Sequence, residues 1–249
     1  MLPVSPSRER AAPVGRSVLC CHAGALHQYG LMWCSAEVVG VVILVVTSLK
    51  GGSAKTTSAA YLGHVFREWG DRVLLIDADP QRSLLRWAQI AGWAITTTAL
   101  PTAKLHRDLR AVTGDRFDAI VIDTPSLDHD RSIVVSALRV ATHVVIPMAP
   151  TAIEYDRLAT TVDAINGARD LRPDDGPEVA ILLTRAAPNA AATAAYRTVL
   201  HEDGHRVLKA SIGHLQRYTH AYARPIERAS ASAYGDALEQ FLADEAIAP

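Results

Sequence analysis

The sequence predicts an α/β fold: a three-layer sandwich in which a mostly parallel β-sheet carries helices on both faces. Two observations lead there. From Val41 onward, short β-branched runs alternate with longer stretches of helical period. Several of those runs are apolar at successive positions, as parallel strands covered on both faces require, and the alternation implies crossover helices between them.

The expected strands are VVILVVT (41–47), RVLLID (72–77), AITTTAL (94–100), FDAIVID (117–123), HVVIPM (143–148), VAILLT (179–184) and RVLKASI (206–212). Between the first two, Ala59, Leu62, Phe66 and Trp69 fall on one helical face, and Leu105, Leu109 and Val112 do so later. Thr151-Ala-Ile-Glu154 reads as a capping box opening another helix. Arg172 to Glu178, RPDDGPE, reads as a surface loop, and no internal repeat is visible.

The chain has 249 residues, 49% of them hydrophobic, which is ample for one packed domain. With 25 Lys and Arg against 26 Asp and Glu, overall charge favours no polyanionic partner, so such a signal has to be local. The three cysteines, Cys20, Cys21 and Cys34, argue against a disulfide framework, and with His22 and His27 they match no familiar zinc spacing. No apolar run reaches the length of about 18 residues that a membrane span needs. Residues 1–40 have neither a clear period nor the layout of a signal peptide. They are expected to be a poorly ordered extension or, alternatively, an artefact of an upstream start codon with true initiation near Val39 or Val41, and residues 41–249 to be the globular domain.

Chemistry concentrates in TSLKGGSAKTTSAAYL, Thr47 to Leu62. It follows a strand and opens a helix, where free N–H groups and the helix dipole attract anions. Gly51 and Gly52 let the backbone approach phosphate oxygens. Lys55 is placed to reach β- and γ-phosphates, and the Thr56 hydroxyl to ligate Mg2+. Yet Leu49 and Ala54 stand where the ordinary phosphate loop has glycine, and a second lysine, Lys50, fronts the loop. LLIDADPQ puts Asp77 and Asp79 at one strand end, and FDAIVIDTPS puts Asp123 at another. In an open α/β sheet, ligands bind at those carboxyl ends.

KGGSAKTT, LLIDADPQ and IVIDTP together resemble the signature motifs of the ParA/MinD superfamily, the deviant Walker-A P-loop NTPases, and most nearly the ParA/Soj branch. The likeness spans about Val41 to Leu242. That family's loop has no glycine at the place of Leu49, so only Ala54 departs from it. If the loop needs positive φ there, alanine costs about 1 kcal/mol.

The resemblance implies ATP and Mg2+ as cofactors, bound by Lys50, Gly51, Gly52, Ser53, Ala54, Lys55, Thr56 and Thr57. It assigns the phosphates to Lys55 and the metal to Thr56 and Asp123, with Asp77 supporting the metal shell or the loop. Lys50 resembles the lysine that crosses into the partner's site in an ATP-sandwiched homodimer, and Asp79 the residue that orients attacking water. Pro147, Thr184 and Arg185 fall where the family builds its adenine pocket and dimer face.

His205 to Arg228 holds five Lys and Arg against one acid, while Ser232 to Pro249 holds four acids and no base. The resemblance puts non-specific DNA binding on such a basic C-terminal surface, with Arg217, Arg224 and Arg228 as contacts and Lys209 and Arg206 behind them. It thus implies slow hydrolysis stimulated by a ParB-like partner, plasmid or chromosome partition, and a cytoplasmic, nucleoid-associated place with no membrane contact. Competing readings are a membrane-bound positioning ATPase like MinD, a redox protein like the nitrogenase iron protein, and a small-molecule ligase or kinase like dethiobiotin synthetase. The acidic C-terminus disfavours the first and the lack of cysteines after Cys34 the second. Metabolite-dependent hydrolysis would mark the third.

Overall fold

The computed structural model describes residues 40–187, 191–214, 218 and 220–243. The cysteines, His22, His27 and Arg217 lie outside the described residues. All seven expected strands are present: β1 (Val42–Val46), β2 (Val73–Asp77), β3 (Thr96–Ala99), β4 (Ala119–Asp123), β5 (His143–Met148), β6 (Glu178–Ala186) and β7 (Val207–Gly213). The described helices are α1 (Lys55–Glu68), α2 (Ser83–Ala91), α3 (Leu105–Thr113), α4 (Arg131–Leu138), α5 (Ala152–Arg169), α6 (Ala191–Glu202) and α7 (Ala233–Ala243).

The strands form one sheet in the order β3-β2-β4-β1-β5-β6-β7, every pair parallel. Beyond β1 the chain first winds toward β3, then returns past β1 to β5, so β1 borders the point where the winding reverses. That reversal distributes the helices to both faces. Leu44 and Val46 of β1 look toward a core shared by α1, α2 and α7, and Val45 toward one shared by α3, α4, α5 and α6. Ala59, Leu62 and Phe66 are buried on α1 as their spacing predicts, and Leu105 and Leu109 on α3.

Thr151 does occupy the N-cap of α5, with extended backbone, but its side chain caps nothing, so the expected capping box does not form. Its own N–H already donates to the Ala149 carbonyl at 2.8 Å. Glu154 is therefore not needed there and instead receives the Arg157 guanidinium at 3.3 Å. A working cap appears on α4, where Asp130 Oδ1 accepts from Ile133 N at 3.1 Å.

Helix α7 closes the first core against α1 and β7. Tyr234, Ala237, Leu238 and Phe241 are buried, and the Tyr234 hydroxyl meets Ser58 Oγ at 3.2 Å. The turn before it is packed so closely that a Cβ on Gly235 would stand 2.0 Å from the Ser230 carbonyl oxygen. Gly235→Ala should cost about 1–3 kcal/mol of stability, visible as a lowered Tm. An unchanged Tm would mean that this turn is free to shift.

Candidate functional site

The site is built where β1 ends between β4 and β5. Val46 leads into a loop whose shape depends on two residues of positive φ, Gly52 (φ 79) and Ala54 (φ 73). Ala54 therefore sits in the left-handed region that an L side chain enters at a cost of about 1–2 kcal/mol. It is also the N-cap of α1 and supplies no side-chain cap, while its carbonyl accepts Ser58 N at 2.9 Å. The first N–H groups of α1, those of Lys55, Thr56 and Thr57, are thereby left for an anion.

Lys55 is buried within this loop, donating its ammonium to the Lys50 carbonyl at 2.9 Å and to Ser48 Oγ at 3.2 Å. Ser48 in turn meets Ser53 Oγ at 2.5 Å, and Thr184 Oγ1 donates to the Ser53 carbonyl at 3.4 Å. Burial lowers the Lys55 pKa, opposed by the charges of Asp123, Asp79, Asp128 and Glu154.

The acids divide by environment. Asp77 and Asp123 end neighbouring strands in direct register. Asp77 is fully buried, but Oδ1 accepts from Asp79 N at 3.1 Å and Oδ2 from Leu85 N at 2.9 Å. It thus braces the loop and caps α2, whose N-cap residue Arg82 offers no side-chain cap. Burial still raises its pKa, held back by those backbone donors. Asp123 is as deeply buried, and neither of its oxygens has a geometrically sound protein partner. Burial first, then the Asp77 charge, pushes its carboxyl up to about 8; the Thr56 hydroxyl and the Lys55 ammonium pull the other way. A buried carboxylate without donors, next to a hydroxyl at a helix N-terminus, fits a hard divalent cation that keeps most of its water. No cluster of three or more His, Cys, Asp or Glu suited to a metal occurs among the described residues, so phosphate and water would complete the shell.

The remaining expected residues lie around this centre. Lys50 is half-exposed at the loop front, its ammonium 2.7 Å from Asp128. Gly51 is exposed and Asp79 half-buried, one of its oxygens held by Gln81 N at 2.8 Å. Pro147 is buried in β5 and lines a crevice with Ser48, Leu49, Glu154 and Arg157. Arg185 is exposed at the end of β6 with φ 52. Arg224 and Arg228 are exposed on the segment before α7, away from the loop in sequence. Sequence reasoning missed Ser48 and Asp128. Ser48 stands inside the quoted loop, one residue before Leu49, whereas nothing in the spacing of Asp128 marks it as the partner of Lys50.

Such a cradle takes a polyphosphate, and the molecule is a P-loop nucleotide-binding protein of α/β fold. Residues 44–226 match the family described as the CobQ/CobB/MinD/ParA nucleotide binding domain, and the chain belongs to that family. The Maintenance of carboxysome distribution protein A of Halothiobacillus neapolitanus is 27% identical over 184 residues, covering 72% of this chain and 82% of that protein. A putative plasmid partition protein of Borrelia burgdorferi, solved with AMPPNP, superposes with a TM-score of 0.63 at 21% identity, covering 82% and 99% of the two chains. Cobyrinic acid a,c-diamide synthase of Mycobacterium smegmatis, solved with an ATP analogue and magnesium, gives a TM-score of 0.60 at 22% identity, covering 74% and 92%. At such identities the two structures speak for the fold.

Two outcomes follow from this geometry. Ala54→Gly should stabilise the protein by roughly 0.5–1 kcal/mol, the relief of left-handed strain less the chain entropy glycine adds; a lower Tm would contradict the strain. For Asp123, the folded state retains a proton that the unfolded chain has released above about pH 4, so wild-type stability falls from there to about pH 8 and then levels. Without nucleotide or metal, Asp123→Asn should exceed wild type by about 1–3 kcal/mol at pH 8, and the gap should close toward pH 4. Thermal melts across that range giving a constant or reversed gap would refute the assignment.

Proposed function

We propose that the protein is an ATP-dependent partition ATPase. Two copies enclose ATP and Mg2+ between them, the dimer binds DNA non-specifically, and a ParB-like partner accelerates slow hydrolysis and release. The observation that carries this reading is the loop's pair of lysines set against the buried, donorless Asp123 carboxylate. Lys55 lies inside its own loop, ready to exchange the Lys50 carbonyl for phosphate oxygens. Lys50 stands at the loop front, its ammonium tied among the described residues to Asp128 by an exposed ion pair of a kind worth about 0–1 kcal/mol, so little opposes its transfer to a partner's phosphates.

Thr56 and, through water, Asp123 would hold the magnesium, which when bound supplies neutralisation of the charge on the transferred phosphoryl group. Asp79, at the mouth of the loop, is the carboxylate we place against the attacking water. Thr184 reaches the loop at Ser53, Pro147 lines a crevice with Ser48, and Arg185 follows Thr184 on β6; all three are assigned to the nucleotide's far side. The cargo is DNA, plasmid or chromosome, or another large assembly. The likeness to a carboxysome-distribution protein supports keeping the last within range. The proposed place is the nucleoid surface in the cytoplasm. No described helix is long and apolar enough to cross a membrane, and the apolar face of α7 is spent on the core rather than offered to a lipid surface.

A second reading, ATP-driven chemistry on a small molecule, has the support of the fold shared with cobyrinic acid a,c-diamide synthase. Light scattering with ATP and Mg2+ separates the readings. Wild type should dimerise. Lys55→Ala should lose nucleotide affinity by about a hundredfold or more, and Lys50→Ala should bind ATP yet remain monomeric. A dimer that persists without Lys55, or hydrolysis that needs a metabolite and ignores DNA, would defeat the partition reading.

A further inference from the structure

Helix α2 begins four residues after Asp79 and carries no acid, while Arg82 at its N-cap and Arg86 one turn later are both exposed. Its inner side buries Leu84 and Trp87 in the same core as Ala221 and Ile226 from the segment before α7. The two pieces are also joined by a hydrogen bond, Trp87 Nε1 donating to the Arg224 carbonyl at 2.9 Å. The Trp87 ring lies 5.7 Å from that of Tyr222, which is 48% exposed, and Ile90, one turn beyond Arg86, is 56% exposed. Arg82, Arg86, Arg224 and Arg228 make no ion pair among the described residues, although other arginines of this protein do: Arg72, Arg157, Arg172 and Arg206 all have acidic partners. The acids nearest in sequence are Glu227, exposed between Arg224 and Arg228, and Asp79, half-buried toward the site.

Two of these arginines, Arg82 and Arg228, have φ of 54. Glycine fits that conformation without strain, so the side chains are kept there against the backbone's preference. Guanidinium groups without ion pairs, on α2 and on the adjoining segment that carries a partly exposed tyrosine, suit a phosphate backbone with sugars and base edges lying against the ring.

We propose that Arg82 and Arg86 of α2 form, with Arg224 and Tyr222, one duplex-DNA-binding surface, so that the DNA face extends beyond the C-terminal arginines onto the helix that leaves the nucleotide site. This rests on the partition reading and adds to it a second element. Such a surface binds backbone rather than sequence, and each arginine adds about one released counterion to the salt dependence.

The test is fluorescence anisotropy of a labelled mixed-sequence duplex with ATP and Mg2+, titrated with NaCl. Arg86→Ala, and Arg82→Gly, which removes both charge and positive-φ strain, should each lower the slope of log K against log salt by about one. Each should weaken binding roughly threefold at moderate salt, with ATP affinity and dimerisation unchanged. Tyr222→Ala should weaken binding with no change in slope. If wild type binds duplex and both arginine variants keep its slope, the α2 surface is wrong while the partition reading stands. If wild type binds no duplex in ATP, both fall. If the variants keep DNA affinity but lose binding to poly-L-glutamate, the face is a contact for acidic protein and the proposal is overturned.

Discussion

Asp123 and Lys55 impose the constraint on which the rest of the site depends. A carboxyl that is fully buried without a donor, and an ammonium buried beside it, are each costly in the absence of a ligand. The protein lessens the cost in two ways: the Asp123 carboxyl takes up a proton more readily, and Lys55 folds back on Ser48 and the Lys50 carbonyl. Neither solution is complete, and a phosphate–cation pair would satisfy both groups at once. Binding energy is thus stored as unsatisfied polar contact at the carboxyl ends of the central strands, where Asp123 ends β4 beside Val46 of β1 and Lys55 opens α1.

The loop over this centre is held from beneath rather than by its own preferences. Gly52 adopts positive φ without penalty, but Ala54 does not, so contacts must over-determine the turn. Ser53 is pinned by the Ser48 hydroxyl from β1's end and by Thr184 from β6. The backbone after β4 adds to this, Leu127 N and Asp128 N donating to the Ser48 and Leu49 carbonyls at 3.1 and 3.2 Å. Thr184 therefore does structural work in the loop, a role that its position near an expected nucleotide pocket does not reveal.

Much of this was legible in the residues and some was not, for physical reasons. The inner strands could be read because a strand covered on both faces must be apolar at consecutive positions, and that pattern is local; the edge strands β3 and β7 are less apolar and were read from β-branched runs in the alternation with helices. The order of Lys55, Asp77 and Asp123 was readable because strand ends can be located from the same runs. The capping box at Thr151 misled, since whether Glu154 reaches back depends on where the Thr151 N–H has already gone. The φ of Ala54 was undecidable from sequence, because an alanine fits either conformation until the loop is closed around it. The pairing of Lys50 with Asp128 depends on two loops meeting across the sheet edge, and no spacing encodes it.

Asp77 shows how one buried acid can serve a distant surface. Of two carboxylates in register, Asp123 is left open, whereas Asp77 is saturated by the backbone of the very turn that carries Asp79 and starts α2. The N-terminus of α2 is thereby anchored inside the nucleotide site, and Trp87, one turn further on, anchors the carbonyl of Arg224. A displacement of the Asp79 turn cannot leave α2 in place without breaking a buried charge-assisted hydrogen bond, a contact worth about 1.5–3 kcal/mol. Nor can α2 move without carrying or releasing the arginine segment packed on it. A short helix whose N-cap residue offers no side-chain cap is thus held at one end by Asp77 of the nucleotide site and at its middle by the carbonyl of Arg224.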